Sequence, residues 1–148
     1  MELIVKAFDE LTTRELYEIY KTRFDVFVVE QQCCYQDADE FDPVSIHAWY
    51  QDEDGIVAYI RVLPPDTVFP EASIGRVLAV KRREGHATRL VEEGIKIAAT
   101  RFDSKVITIE AQCYVREMYE KLGFVQVSEE FLDVGIPHIK MQLVLENK

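Results

Sequence analysis

The stretch from residue 74 to 124 constrains this chain most, because strand-like and helix-like text alternate there around a small, basic turn. Residues 74–80 are apolar enough for a strand. Ala87, Leu90, Val91, Gly94, Ile95 and Ala98 then recur at helical spacing, the stripe of an amphipathic helix. Residues 106–111 form a short run rich in β-branched side chains, and residues 114–122 a compact helix that Gly123 can cap. Between the first strand and the first helix lies Arg82-Arg83-Glu84-Gly85-His86-Ala87-Thr88. The first amides of a helix have no intrahelical acceptor and its dipole is positive at that end, so a turn placed there can hold a diphosphate through main-chain donors. Gly85 and Ala87 let the backbone approach an anion, Thr88 adds a hydroxyl donor, and Arg82 and Arg83 carry permanent charge. Neither Gly-x-x-x-x-Gly-Lys-Ser/Thr nor Gly-x-Gly-x-x-Gly occurs, which excludes a P-loop and argues against a dinucleotide fold. The plain structural alternative is a basic loop before an ordinary helix start.

The flanking text supplies further elements. Residues 2–7 suit a strand. Thr12 and Glu15 form a capping box, with Leu11 placed as a staple for Leu16. Leu16, Ile19, Tyr20, Phe24 and Phe27 then predict one buried face of a helix running to about Val28. From Cys33 to Pro43 the text is polar and acidic without a period, which predicts a solvated surface loop. Asp37-x-Asp39 with Asp42 does not make a calcium loop, lacking the glycine at the sixth position and the glutamate at the twelfth. Residues 46–51 and 56–63 read as a hairpin closed at Asp54-Gly55, and residues 125–127 and 139–145 as the last strands. The order is mixed α/β without internal repeats. With 48% apolar residues over 148 positions it predicts a single domain spanning 1–148.

Several function classes recede on composition. No run approaches the ~20 apolar residues of a membrane helix, and the acidic start is too short for a signal peptide, so no membrane association is expected. Cys33 and Cys34 are adjacent and Cys113 is distant, which fits reduced thiols in a cytoplasmic protein better than a disulfide framework or a metal site; none is expected. A net charge of -10 repels nucleic acid. It also favours a cationic amine as partner, although solubility alone accounts for an acidic balance.

Arg82-x-x-Gly85-x-Ala87 resembles the Arg/Gln-x-x-Gly-x-Gly/Ala signature of the GNAT superfamily of N-acetyltransferases, and residues 119–124 (Tyr-Glu-Lys-Leu-Gly-Phe) resemble its second signature, in the family's order and spacing. Residues 26–31, 74–77, Ala111-Gln112 and 135–141 are similar to the ElaA-like branch, so the resemblance spans nearly the whole chain. It implies a GNAT-type acyl-CoA N-acyltransferase fold: a central, mostly antiparallel, seven-stranded sheet flanked by helices and splayed at the fourth and fifth strands. Acetyl-CoA would lie in the splay. Its pantetheine arm would pair with backbone groups of Leu78, Ala79 and Val80, and its diphosphate would rest on the turn, led by Arg82 and taken by the amides of Arg83, Gly85, His86, Ala87 and Thr88, with Gln112 and Tyr119 completing the cofactor site. One departure is visible. Family members place the strand's last apolar residue four positions before the arginine, whereas Val80 stands two before Arg82; either the loop is two residues short or Leu78 takes the usual place. A homodimer enters only through the resemblance.

Amide formation from a thioester sets three tasks: a neutral amine, a donor for the oxyanion, and a proton for the departing thiolate. A main-chain amide near Leu78 or Ala79 suits the second. For the third, the residues alone favour a packing role for Tyr119, since Val115, Met118, Tyr119 and Leu122 share helical spacing, and the resemblance turns it into the candidate acid. For the first, Glu30, His47, Glu110 and His138 all remain candidates, as does water without a dedicated base. Glu110 stands in an apolar strand, where burial would raise its pKa unless Arg76 pairs with it. The expected function is acetyl transfer from acetyl-CoA to a primary amine of a small molecule. The rival is a module of the same fold that binds acyl-CoA without turnover.

Overall fold

The computed structural model describes residues 1–145 of the chain. Strands β1 (Glu2–Ala7), β2 (Ile46–Asp52), β3 (Gly55–Leu63) and β4 (Ser73–Ala79) pair antiparallel in chain order. A second sheet places β8 (Ile136–Val144) between β5 (Val106–Gln112) and β6 (Val125–Gln126), with β7 (Phe131–Asp133) also on β8. Three α-helices complete the fold: α1 (Thr13–Arg23), α2 (His86–Arg101) and α3 (Arg116–Lys121). The two sheets meet through one parallel bridge, Ala72 to Ile107, where the Thr108 amide donates to the Ala72 carbonyl at 3.0 Å. Beyond it β4 and β5 part.

The local signals explain most boundaries. At α1 the Thr12 hydroxyl accepts from the Glu15 amide at 3.1 Å, while the Glu15 carboxylate accepts from the Thr12 amide at 2.8 Å. The β2–β3 turn closes with the Asp54 amide on Asp52 Oδ1 at 2.8 Å and Gly55 at a φ of 113°, where a side chain would be strained. After α3 the Gly123 amide bonds to Glu120 O and the Phe124 amide to Tyr119 O, a Schellman arrangement that needs the left-handed Gly123. Both faces of β3 are buried. Ala58, Ile60 and Val62 join α2 and the β5/β8 residues Ile107, Ile109, Ile139 and Met141 in one core. Tyr59 joins Ile19, Phe27, Trp49 and Leu78 in another, under α1.

Three expectations need correction. The α-helix predicted to run to about Val28 stops at Arg23, after which the chain widens into a π-helical stretch, Phe24–Glu30, with i→i+5 bonds such as Gln31 N–H to Val26 O. Of the predicted stripe Ile19 and Phe27 are buried, whereas Phe24 is 44% exposed and Arg23 takes the interior at 0%. The sheet has eight strands rather than seven among the described residues, because Val134 and Gly135, both at positive φ, turn residues 131–133 back onto 136–138. This hairpin also starts β8 at Ile136 rather than at 139.

The acidic loop is the third. Asp37 and Asp42 are fully buried, and Asp39 is partly so. Asp37 Oδ2 accepts from Arg23 Nε at 2.8 Å, Asp42 Oδ1 from Arg23 Nη1 at 2.7 Å and Arg61 Nη1 at 2.9 Å, and Asp39 accepts both Arg61 Nη groups at 2.6 and 2.9 Å. The loop is therefore an ion-pair assembly packed against the sheet rather than a solvated segment.

Candidate active site

Separation of β4 from β5 has a cause inside β4. Leu78 pairs with Tyr59 and Gly75 with Arg61, so Arg76 and Val77 together oppose one residue of β3, Ile60. This is a β-bulge, which bends its strand and increases its twist. Arg76 stands in it at a φ of 50°, a left-handed conformation costing a non-glycine residue about 1–2 kcal/mol. The strand ends at Ala79, and Leu78, four positions before Arg82, is its last buried apolar residue. Leu78 thus takes the place that Val80 does not. The Val80 side chain is exposed, its amide donates to Val57 O of β3 at 2.7 Å, and Val80 lies outside the cleft, against the expectation for its backbone.

Between the parted strands opens a cleft of about 1000 Å³. One end is the turn before α2, where Arg83 and Gly85 both adopt positive φ (63° and 77°). Gly85 is the N-cap of α2, with open space where a Cβ would project. The first backbone bond of α2 is Arg89 N–H to Gly85 O, so the amides of His86, Ala87 and Thr88 precede the ladder and are available to an anion. The His86 ring is turned inward: Arg89 Nη2 donates to its Nδ1 at 2.9 Å. Arg82 donates from Nε to Ala79 O at 3.1 Å and forms an ion pair with Glu30 at the end of the π-helical stretch. These free amides and the unpaired edge of β4, with glycine where the backbone must be approached, suit the diphosphate and pantetheine parts of coenzyme A.

Away from the turn the cleft is lined by Tyr35, Arg76, Glu110, Asp133 and His138, among others, while Glu30 stays beside Arg82. Glu110 is exposed to the cleft and has no ion pair among the described residues; loss of solvent, with Asp133 nearby, raises its pKa. The anticipated Arg76 partnership does not form, since Arg76 Nε lies 2.9 Å from Asp37 Oδ1 instead. Glu30 is held below the ordinary carboxylate range by its hydrogen bond from Arg82. The His138 Nδ1–H donates to Ile136 O at 2.7 Å, which leaves Nε2 as the acceptor, and the ring stacks on Phe131. His47 is excluded from the cleft: it is fully buried, its Nε2–H donates to Asp42 O at 3.0 Å, and its Nδ1 accepts the Tyr59 hydroxyl at 2.6 Å. Gln112 lines the cleft at the end of β5. Tyr119 lines it from α3, 5% exposed, its ring edge-on to Phe124 and its hydroxyl without a hydrogen-bond partner among the described residues. Burial pushes its pKa up, so the phenol keeps its proton at neutral pH.

Sequence reasoning brought Leu78, Ala79, Arg82, Arg83, Gly85, His86, Ala87, Thr88, Gln112, Tyr119, Glu30, Glu110 and His138 to this one cleft. It missed Tyr35, Arg61 and Asp133, and weighed Arg76 only as a partner for Glu110. Arg61 carried a usable signal, because a lone arginine in the buried run from 55 to 63 must have a carboxylate partner.

Comparison with known proteins agrees with this geometry. Residues 11–145 match the family described as acetyltransferase (GNAT) domain. A UPF0039 protein of Schizosaccharomyces pombe is 35% identical over 98% of both chains. The crystal structure of an acyl-CoA N-acyltransferase from Pseudomonas aeruginosa superposes with a TM-score of 0.90 at 33% identity, covering 97% of this chain and 100% of that one. The crystal structure of Escherichia coli ElaA gives a TM-score of 0.89 at 32% identity, covering 96% and 98%. With its cleft at the β4/β5 splay and free amides at the start of α2, the chain belongs to the GNAT family, whose fold serves acyl transfer from acyl-CoA to amines, and within it resembles ElaA.

Proposed function

We propose that this chain, as one N-acetyltransferase domain over residues 1–148, transfers an acetyl group from acetyl-CoA to a primary amine of a small, cationic acceptor. The observation that carries this reading is the meeting, in one cleft, of the open edge of β4, the free amides of α2, Tyr119 and an unpaired Glu110. Main-chain groups near Leu78 and Ala79 hold the pantetheine arm and a thioester oxygen, and the amides from Arg83 to Thr88 hold the diphosphate. The acceptor enters at the Glu110 end, where Asp133 adds a second carboxylate and a protonated amine is favoured. Glu110 accepts the proton that the amine must lose; Glu30 is occupied by Arg82, and His138 Nε2 is placed to share the load. Tyr119 donates to the departing sulfur, its phenol protonated and free of other partners among the described residues.

The reading is tested by following CoA thiol release against a panel of polyamines, amino sugars, amino acids and peptides. Tyr119→Phe should lower kcat about tenfold or more while acetyl-CoA affinity and thermal stability stay close to the parent, since no hydrogen bond among the described residues is lost. An unchanged kcat would remove Tyr119 from the chemistry. A base acts when deprotonated, so kcat/KM should rise with pH through the ionisation of Glu110, above the usual glutamate value of about 4.3 because that group's pKa is raised. Glu110→Gln should abolish that acid limb and slow turnover about 100-fold. A limb that persists in the variant would transfer the role to His138. Acetyl-CoA binding without thiol release for any amine would leave a binding module in place of the enzyme.

A further inference from the structure

We propose that the buried aspartate–arginine assembly of the 37–42 loop is a clamp that holds Arg76 in the left-handed bulge of β4, making Arg76, Asp37 and Asp39 positioning residues for the cleft edge. The bulge needs such support. A non-glycine residue at a φ of 50° persists only where its surroundings over-determine it, and such residues cluster where a strand is re-aimed beside a site. Arg76 Nη2 donates to Asp37 O at 2.9 Å and to Asp39 Oδ2 at 3.4 Å, while its Nε lies 2.9 Å from Asp37 Oδ1 in an ion-pair contact without hydrogen-bond alignment. The guanidinium also lies over the Tyr35 ring, 5.7 Å from its centre, and the Tyr35 hydroxyl donates to Asp37 Oδ1 at 2.7 Å.

The loop cannot yield, because Arg23 fixes Asp37 from beneath, through Nε to Oδ2 and Nη2 to the carbonyl, both at 2.8 Å. Arg61 fixes Asp39, and it comes from β3 immediately across the ladder, opposite Gly75. The clamp therefore ties both strands flanking the bulge to one rigid point. Val77, Leu78 and Ala79, the next residues along, form the cleft wall. Three arginines against three aspartates balance the formal charge of the assembly.

The test uses Arg76→Gly, which accepts the left-handed backbone and leaves the Arg23–Asp37 and Arg61–Asp39 pairs intact, so the variant should fold. The clamp predicts that backbone amides flanking the bulge, from Tyr59 to Arg61 and from Gly75 to Leu78, exchange with deuterium about tenfold faster than in the parent, after correction for intrinsic rates. Its consequence for catalysis rests on the acetyl-transfer reading: kcat should fall about tenfold with KM for acetyl-CoA changed less than about threefold, because the wall is present but no longer held. Arg76→Lys, one point contact instead of a fork, should fall between. Parent-like exchange in Arg76→Gly would overturn the clamp, as would a lowered melting temperature with unaltered exchange near the bulge. If the parent releases no thiol with any amine, the acetyl-transfer reading fails and the exchange comparison still decides the clamp.

Discussion

Replacing Asp42 by alanine should destabilise the protein by about 3–5 kcal/mol, the expected range when one partner of a buried ion pair is removed and its counter-charge stays behind. Asp42 is fully buried, and its carboxylate takes Arg23 Nη1 at 2.7 Å and Arg61 Nη1 at 2.9 Å while also accepting the Asp39 amide at 3.1 Å. In the alanine variant Arg23 and Arg61 keep Asp37 and Asp39 but share one carboxylate fewer, which leaves an uncompensated charge in the interior. Asp42→Asn keeps an acceptor and should cost less. Urea unfolding followed by far-ultraviolet circular dichroism measures both, and an alanine variant within 1 kcal/mol of the parent would contradict the account. The same pairs make stability depend on pH. Burial alone would raise the Asp42 pKa, yet Arg23 and Arg61 bring it down to about 2. A folded pKa below the unfolded value of about 3.9 means that this contribution is complete above that value and is lost as pH falls toward 2.

Gly85→Glu should lower acetyl-CoA affinity about 100-fold or more, a loss of roughly 2.7 kcal/mol measurable by calorimetry. Steric clash with the protein is not the reason, because nothing lies within 4 Å of where the Cβ would stand. Two other effects combine. A side chain at a φ of 77° is strained, which disturbs the turn that presents the α2 amides. A carboxylate at the N-cap also satisfies those amides itself and repels the diphosphate. Gly85→Ala separates the effects, retaining strain without charge, and should lose much less. Wild-type affinity in Gly85→Glu would undo the assignment of the turn.

Elements were legible in the sequence wherever a signal is local. Thr12 and Glu15, Asp54-Gly55 and Gly123 each mark a boundary through bonds spanning only a few residues. The turn before α2 was legible for the same reason, since its chemistry follows from its position between a strand and a helix. The acidic loop was not. Its carboxylates resemble a solvated run until Arg23, Arg61 and Arg76 arrive from 14 to 39 residues away, and no periodicity encodes that meeting. The π-helical stretch was hidden because Phe24 and Phe27 fit an α-helical stripe as text, and the widening shows only in the bonds from residues 31 and 33 back to 26 and 28. At the acceptor end, Glu110 could be singled out as a carboxylate in an apolar strand. Asp133 could not, because it faces the cleft only through the hairpin at Val134-Gly135.

The seam at Ala72 and Ile107 has a mechanical consequence. Within each half-sheet the long strands are tied by antiparallel ladders, whereas among the described residues the two half-sheets are joined by one parallel bridge, with the Thr108 amide on the Ala72 carbonyl. Load across the cleft is therefore carried by side-chain packing, with α2, β3 and β4 on one side and β5 and β8 on the other sharing one apolar core. A change in cleft width should therefore come from tilting of the two half-sheets about this seam more readily than from bending within either ladder.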